Sequence, residues 1–272
     1  MSIAFLSWLN FWSGVDDSKR DDPTTSEAAN RRSLVHAWEA PSLKLVLLPG
    51  LGADGRMFHG LRAGGFDVCD QEILMPEPGE TLPELAGRIA EQIADRVNDE
   101  FVLGGASFGG MLASEMCSIL RPRGLLQLGS CLTGEALGPL PRYVCGLLQR
   151  VPGPLMKAPP WRVVTIRYHL GPMSSTVYTI GRDMWNKTDI DLIRRGARMI
   201  LTWPGPERIP CSVYRVHGTK DRLVRWMDGP ATIEGAYKTL LVEGAGHLVS
   251  MTHEAVVNRF VAEMLNELNG SP

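Results

Sequence analysis

Among the five cysteines, Cys69, Cys117, Cys131, Cys145 and Cys211, no two form a Cys-x-x-Cys pair, and no histidine stands at a metal-ligand spacing from them. No metal site is expected, and an odd, scattered set reads as buried thiols in a reducing, cytoplasmic setting. Charge of one sign is also missing. Lys and Arg number 28 against 30 Asp and Glu, so no global field recruits nucleic acid. No glycine-rich turn carries the Lys-Ser/Thr of a phosphate loop, and no spaced acidic residue follows one as in dinucleotide binding, so no cofactor is expected. No apolar run reaches the roughly 20 residues of a membrane-spanning helix. No internal repeat is visible. What remains is an ordinary globular composition in 272 residues, enough to bury a sizeable core.

Residues 1–15 are unusual for their lack of charge before Asp16. At about 100° per residue, Ser2, Ser7, Asn10 and Ser13 share one arc, while Trp8, Phe11, Trp12 and most other apolar residues crowd the opposite one. Such an amphipathic helix calls for a partner surface: its own domain, a second subunit in a dimer, or a membrane surface. The last lacks the usual basic flank. A secretory signal would show a basic start and a small-residue cleavage site, and neither is clear. Residues 16–42 are polar and short of aliphatics, and read as an arm or linker.

From residue 43 onward strand-like and helix-like patterns alternate. Leu43–Leu48, Phe101–Leu103, Leu125–Leu128, Ser212–Val216 and Thr239–Val242 read as strands, with a weaker signal around Phe66–Leu74. Leu82–Val97, Met111–Leu120 and Glu254–Leu268 read as helices. This alternation predicts an α/β fold over 43–272, with a mostly parallel central sheet covered by helices on both faces. Residues 132–206 break the pattern. They hold nine of the 19 prolines and ten Lys/Arg against four Asp/Glu, and read as a helical lid inserted over the sheet.

Three short loops carry the chemistry. Gly105-Ala106-Ser107-Phe108-Gly109 stands where a strand ends and a helix begins. A sharp turn there would hold the serine in a strained conformation, with flanking glycines removing Cβ clashes. Ser107 is the candidate nucleophile. The N–H of Phe108 and the helix dipole would stabilise an oxyanion. A second donor is expected from the loop Pro49-Gly50-Leu51-Gly52, with the N–H of Leu51 as the candidate. Serine needs a base, and His247, in Gly244-Ala245-Gly246-His247 just after a strand, is the candidate. Asp221, in the loop after His217-Gly218, would accept the other imidazole N–H. Asp228 is its nearest rival, and His217 reads as structural, holding the loop that follows it.

The order Ser…Asp…His, each member beyond a strand end, resembles the α/β-hydrolase fold superfamily. The resemblance covers residues 43–268 and leaves out the first 42. It implies a serine hydrolase of carboxylesterase or thioesterase type, with a catalytic triad, a nucleophile elbow and an oxyanion hole, acting on a small-molecule acyl substrate. The same triad also serves cofactor-free lyases, C–C bond hydrolases and peroxidases on this fold, and the scaffold also carries non-catalytic binding proteins. Two departures stand out: Pro49-Gly50 where many relatives have His-Gly, and Arg225 where a proline often follows the Asp loop. Trp161, Tyr168, Met173 and Trp185, together with Trp203, are candidates for the wall of an apolar acyl pocket, and Arg225 for its rim. The basic insertion raises an anionic substrate as an alternative to solvated helix faces, and the latter is preferred.

Overall fold

The computed structural model describes residues 43–97, 100–156, 170–227 and 231–270. The amphipathic segment 1–15, the arm 16–42, Trp161, Tyr168 and Asp228 lie outside the described residues.

Strand β1 (Lys44–Leu48) opens the domain. It is followed by a 3-10 turn, helix α1 (His59–Ala63) and the short strand β2 (Val68–Asp70). Helix α2 (Leu82–Ala94) starts at Thr81, whose hydroxyl accepts from the Glu84 N–H while the Glu84 carboxylate accepts from the Thr81 N–H. This reciprocal cap explains why the helix begins there. Strand β3 (Phe101–Ala106), helix α3 (Phe108–Leu120) and strand β4 (Gly124–Leu128) follow.

The chain then leaves the sheet for helices α4 (Pro139–Leu148), α5 (Gly153–Met156), α6 (Ser175–Lys187) and α7 (Ile190–Thr202). Proline stands in the first turn of α4, where no intrahelical N–H is lost. Ser174 and Asp189 cap α6 and α7. Strands β5 (Arg208–Ile209) and β7 (Thr232–Ile233) form a small two-stranded ribbon. Strands β6 (Ser212–Gly218) and β8 (Tyr237–Val242) rejoin the main sheet, and helices α8 (Val249–Thr252) and α9 (Glu254–Gly270) close the described chain.

The main sheet has the order β2-β1-β3-β4-β6-β8 and every pairing in it is parallel. Alternate strand residues feed two cores. Val46, Leu48, Leu103, Leu125 and Val213 pack with α2 and α3, whereas Leu45, Leu47, Val102, Leu126 and Val216 pack with α1 and α9. Burial on both faces is why these strands read as nearly continuous apolar runs. Each buried Leu or Val stabilises the fold by about 1.5–3 kcal/mol relative to exposure. The weak strand signal over 66–74 contracts to three residues because β2 is an edge strand, paired only with β1.

The strand order matters for the site. From β1 the chain moves outward to β2, then returns to β3 on β1's other side and continues toward β4. The order therefore reverses between β1 and β3, and in open parallel sheets ligands bind beyond the strand ends at such a point. Leu48 and Gly105 are register partners across this junction, which sets the loops after β1 and β3 side by side.

Candidate active site

Ser107 forms the corner between β3 and α3 with φ 50° and ψ −119°. Only Arg121 shares a positive φ among the described non-glycine residues. A side chain in such a conformation costs on the order of 1–3 kcal/mol and persists only where the surroundings hold it. Here the Ser107 N–H donates to the Leu128 carbonyl at 3.1 Å, and the Ser130 hydroxyl donates to the Ser107 carbonyl at 2.7 Å. The glycines are required by close approach. A Cβ on Gly109 would lie 2.1 Å from the Leu48 carbonyl oxygen, and one on Gly105 would lie 2.5 Å from the Gly109 carbonyl carbon. Gln127 braces the turn from below, donating to the Gly110 and Cys131 carbonyls.

His247 lies beyond β8, held by its N–H on the Leu170 carbonyl at 2.9 Å. Its Nδ1 is 2.7 Å from Asp221 Oδ2, and both side chains are almost wholly buried. An acceptor-only carboxylate at that distance assigns the proton to Nδ1 and leaves the Nε2 lone pair free. Nε2 is buried and has no hydrogen-bond partner among the described residues. The other Asp221 oxygen accepts the N–H groups of Leu223 at 2.9 Å and Val224 at 3.0 Å. Burial pushes the Asp221 carboxyl up, but the charge and hydrogen bond of His247, the nearby His217 and the Val224 N–H outweigh it, so its pKa lies below the ordinary value.

His217 Nε2 reaches the Val224 carbonyl at 3.0 Å and stands 3.6 Å from Asp221 Oδ2. Burial lowers its pKa more than Asp221 raises it, so it stays neutral and donates from Nε2 to that carbonyl. It ties the two ends of the Asp221 loop together.

The loop after β1 passes against Ser107: a Cβ on Gly50 would lie 3.4 Å from Ser107 Cβ. Leu51 follows in this loop, with its side chain packed on Gly196 of α7. Phe108 is the first residue of α3, so its N–H has no intrahelical acceptor.

Ser107 and His247 line one cavity of about 140 Å³. Its remaining walls are apolar: Leu51, Met57 and Met111 from the core domain, Val144, Cys145 and Leu148 from α4, Gly181 and Trp185 from α6, and Ile193, Ala197 and Ile200 from α7. No charged side chain lines it among the described residues. Burial holds the Cys145 thiol protonated, with its pKa pushed up to about 11. The Trp185 indole nitrogen is buried without a hydrogen-bond partner among the described residues.

The expected pocket residues therefore divide. Trp185 lies in the wall. Met173 packs against the α1 and α9 core instead, and the exposed Arg225 turns its guanidinium toward the Glu135 carbonyl at 3.4 Å. Neither lines the cavity. Trp203 is buried in the α2/α3 core and donates from its indole to Glu115 at 2.6 Å. The described arginines of the basic insertion do not line the cavity either. Arg142 donates to the Gly134 and Leu201 carbonyls, Arg194 to the Val151 carbonyl at 2.6 Å, and Arg195 to the Pro76 carbonyl. These three arginines brace neighbouring segments rather than being simply solvated. The wall residues on α4 and α7 escaped sequence reasoning, although Ile193, Ala197 and Ile200 recur at helical spacing and were detectable as one apolar face.

No described helix is long and apolar enough to cross a membrane.

The fold has solved counterparts. A hydrolase from Oleispira antarctica matches with a TM-score of 0.68 at 13% identity, over 84% of this chain and 92% of that one. A thermophilic esterase from Thermogutta terrifontis matches with a TM-score of 0.63 at 19% identity, over 84% and 90%. The RedJ thioesterase from the prodiginine pathway of Streptomyces coelicolor matches with a TM-score of 0.56 at 18% identity, over 97% of both chains. No curated protein matches the sequence significantly. The sequence model of the alpha/beta hydrolase family matches residues 45–259, and the chain belongs to that family.

Proposed function

We propose that this protein is a serine hydrolase cleaving a carboxylic ester or thioester of a small-molecule substrate through an acyl-enzyme on Ser107. One observation carries the reading. Ser107, at a strained elbow, shares a cavity with His247, whose Nδ1 is engaged by Asp221 and whose buried Nε2 has no partner among the described residues. Family membership and neighbours described as an esterase and a thioesterase support it.

In this mechanism Ser107 Oγ attacks the carbonyl carbon and passes its proton to His247 Nε2. Asp221 stabilises the imidazolium through Nδ1–H and does not itself take the proton. The carbonyl oxygen becomes an oxyanion facing the N–H groups of Phe108 and Leu51. The C–O or C–S bond then breaks, and the Nε2 proton goes to the leaving alkoxide or thiolate. A water repeats the sequence on the acyl-enzyme: Nε2 takes its proton, the hydroxyl adds to carbon, and Ser107 leaves reprotonated. Helices α4, α6 and α7 act as the lid that keeps the acyl group out of bulk water.

A fluorophosphonate probe should label the wild-type chain at Ser107 and leave Ser107→Ala unlabelled, and the same substitution should abolish ester turnover. A folded wild-type sample that takes no label and hydrolyses neither esters nor thioesters overturns the proposal.

A further inference from the structure

Gly181 sits in the middle of α6, is buried, and lines the cavity that holds Ser107. Glycine is a poor choice there, since an interior helical glycine is less favourable than alanine by close to 1 kcal/mol. Most buried glycines in this domain are explained by contact: a Cβ on Gly104, Gly109 or Gly196 would strike a neighbour closer than 3.0 Å. Gly181 is different. A Cβ built on it meets no described heavy atom within 4 Å, and its backbone is in the helical region open to any residue. Among the described residues, neither packing nor backbone conformation therefore calls for glycine. What the missing side chain preserves, among the described residues, is room along the wall of the cavity that Ser107 also lines.

That space also has a chemistry. The cavity is about 140 Å³, and cavities near 150 Å³ admit a benzene-sized apolar molecule. Its described walls are aliphatic, thioether, thiol and indole, with no charge to meet an ionised acyl group. Arg142 and Arg194, on the helices that wall it, donate to backbone carbonyls.

We infer that Gly181 sets the capacity of an acyl pocket for an uncharged apolar group of about six carbons, a hexanoyl chain or a phenyl ring. The inference rests on the hydrolase reading for its chemistry and on the cavity alone for its size. Filling the space at position 181 would shorten the preferred acyl chain without touching the triad.

The test is a series of p-nitrophenyl esters from acetate to dodecanoate on wild type, Gly181→Ala and Gly181→Leu. For wild type, kcat/KM should rise about fourfold per methylene to six carbons and fall beyond eight. In Gly181→Leu the hexanoate-to-acetate ratio should drop at least tenfold, and in Gly181→Ala about threefold with Tm unchanged or raised. The ester of adipate carrying a free carboxylate should be turned over at least a hundredfold more slowly than the hexanoate. An unchanged profile in folded variants, or equal use of the charged ester, overturns the inference while leaving the hydrolase reading intact. If neither these esters nor the matching thioesters are turned over and Ser107 takes no fluorophosphonate label, the hydrolase reading falls, and the pocket is read by ligand binding instead. Neutral hexanamide should then raise the Tm of the wild-type chain and not that of Gly181→Leu. Absence of that difference overturns the inference independently.

Discussion

Gly52 lies flat against the indole of Trp185: a Cβ there would come within 2.7 Å of Trp185 Cε3, on a backbone already at φ +85°. The loop carrying the proposed oxyanion donor is thus seated on a residue of α6. Gly52→Ala meets both penalties, a left-handed backbone costing about 1–2 kcal/mol and a clash with a large ring. It should lower Tm by several degrees and kcat for a good ester by at least tenfold. A variant with wild-type Tm and kcat would show that the loop does not depend on this contact.

A second contact ties the same loop to α7. A Cβ on Gly196 would fall 2.6 Å from Leu51 Cδ1, the movable end of a side chain, so Gly196→Ala should be accommodated by shifting Leu51. Helix propensity offsets part of the cost. The expected result is little change in Tm with a fall in kcat of about tenfold, and partial recovery in the double variant Gly196→Ala, Leu51→Ala. Strict additivity of the two substitutions in a double-mutant cycle would argue against the coupling.

The Asp221–His247 bond predicts the effect of Asp221→Asn. The amide can donate to Nδ1 and favour the tautomer protonated at Nε2, which cannot accept the Ser107 proton. A loss in kcat on the order of 10³–10⁴ is expected, with KM little changed and the fold retained. A loss below tenfold in steady-state kinetics would remove Asp221 from the triad and reopen the acid's position.

His217 makes stability pH-dependent. Its pKa is lowered in the fold from an ordinary 6.5, chiefly by burial. As pH falls below about 6.5 the unfolded chain takes up this proton before the folded chain does. The unfolded state then binds more protons, and stability is lost on acidification until the folded pKa is reached. His217→Gln should flatten the slope of Tm between pH 7 and pH 5 relative to wild type, at the cost of a lower Tm at pH 7.5. Parallel slopes in differential scanning calorimetry would show that another group carries the dependence.

The candidate triad and both loops beside it were legible because each is a local event. Ser107, Asp221 and His247 stand just past strand-like runs, and Gly105 and Gly109 are glycines because backbone atoms four residues on or at the end of the adjacent strand leave no room for a Cβ. Local chain geometry of that kind is written in consecutive residues. The parallel sheet was legible for a similar reason, since strands buried on both faces read as unbroken apolar runs.

The cavity was decided elsewhere. Trp185 and Trp203 occupy similar contexts at the ends of amphipathic helices, yet one walls the cavity and the other is buried in the core on Glu115. The surplus positive charge of 132–206 reads as solvated helix faces, with an anionic substrate as the alternative, whereas Arg142, Arg194 and Arg195 reach backbone carbonyls of neighbouring segments. Met173 and Arg225 were placed by proximity in sequence and moved away by packing. The sequence alone determined where the candidate nucleophile, base and acid stand, because elbows and glycine turns are short-range constraints. Only the tertiary structure decided what they face, because the pocket is assembled from side chains of separate helices whose relative rotation no local pattern records.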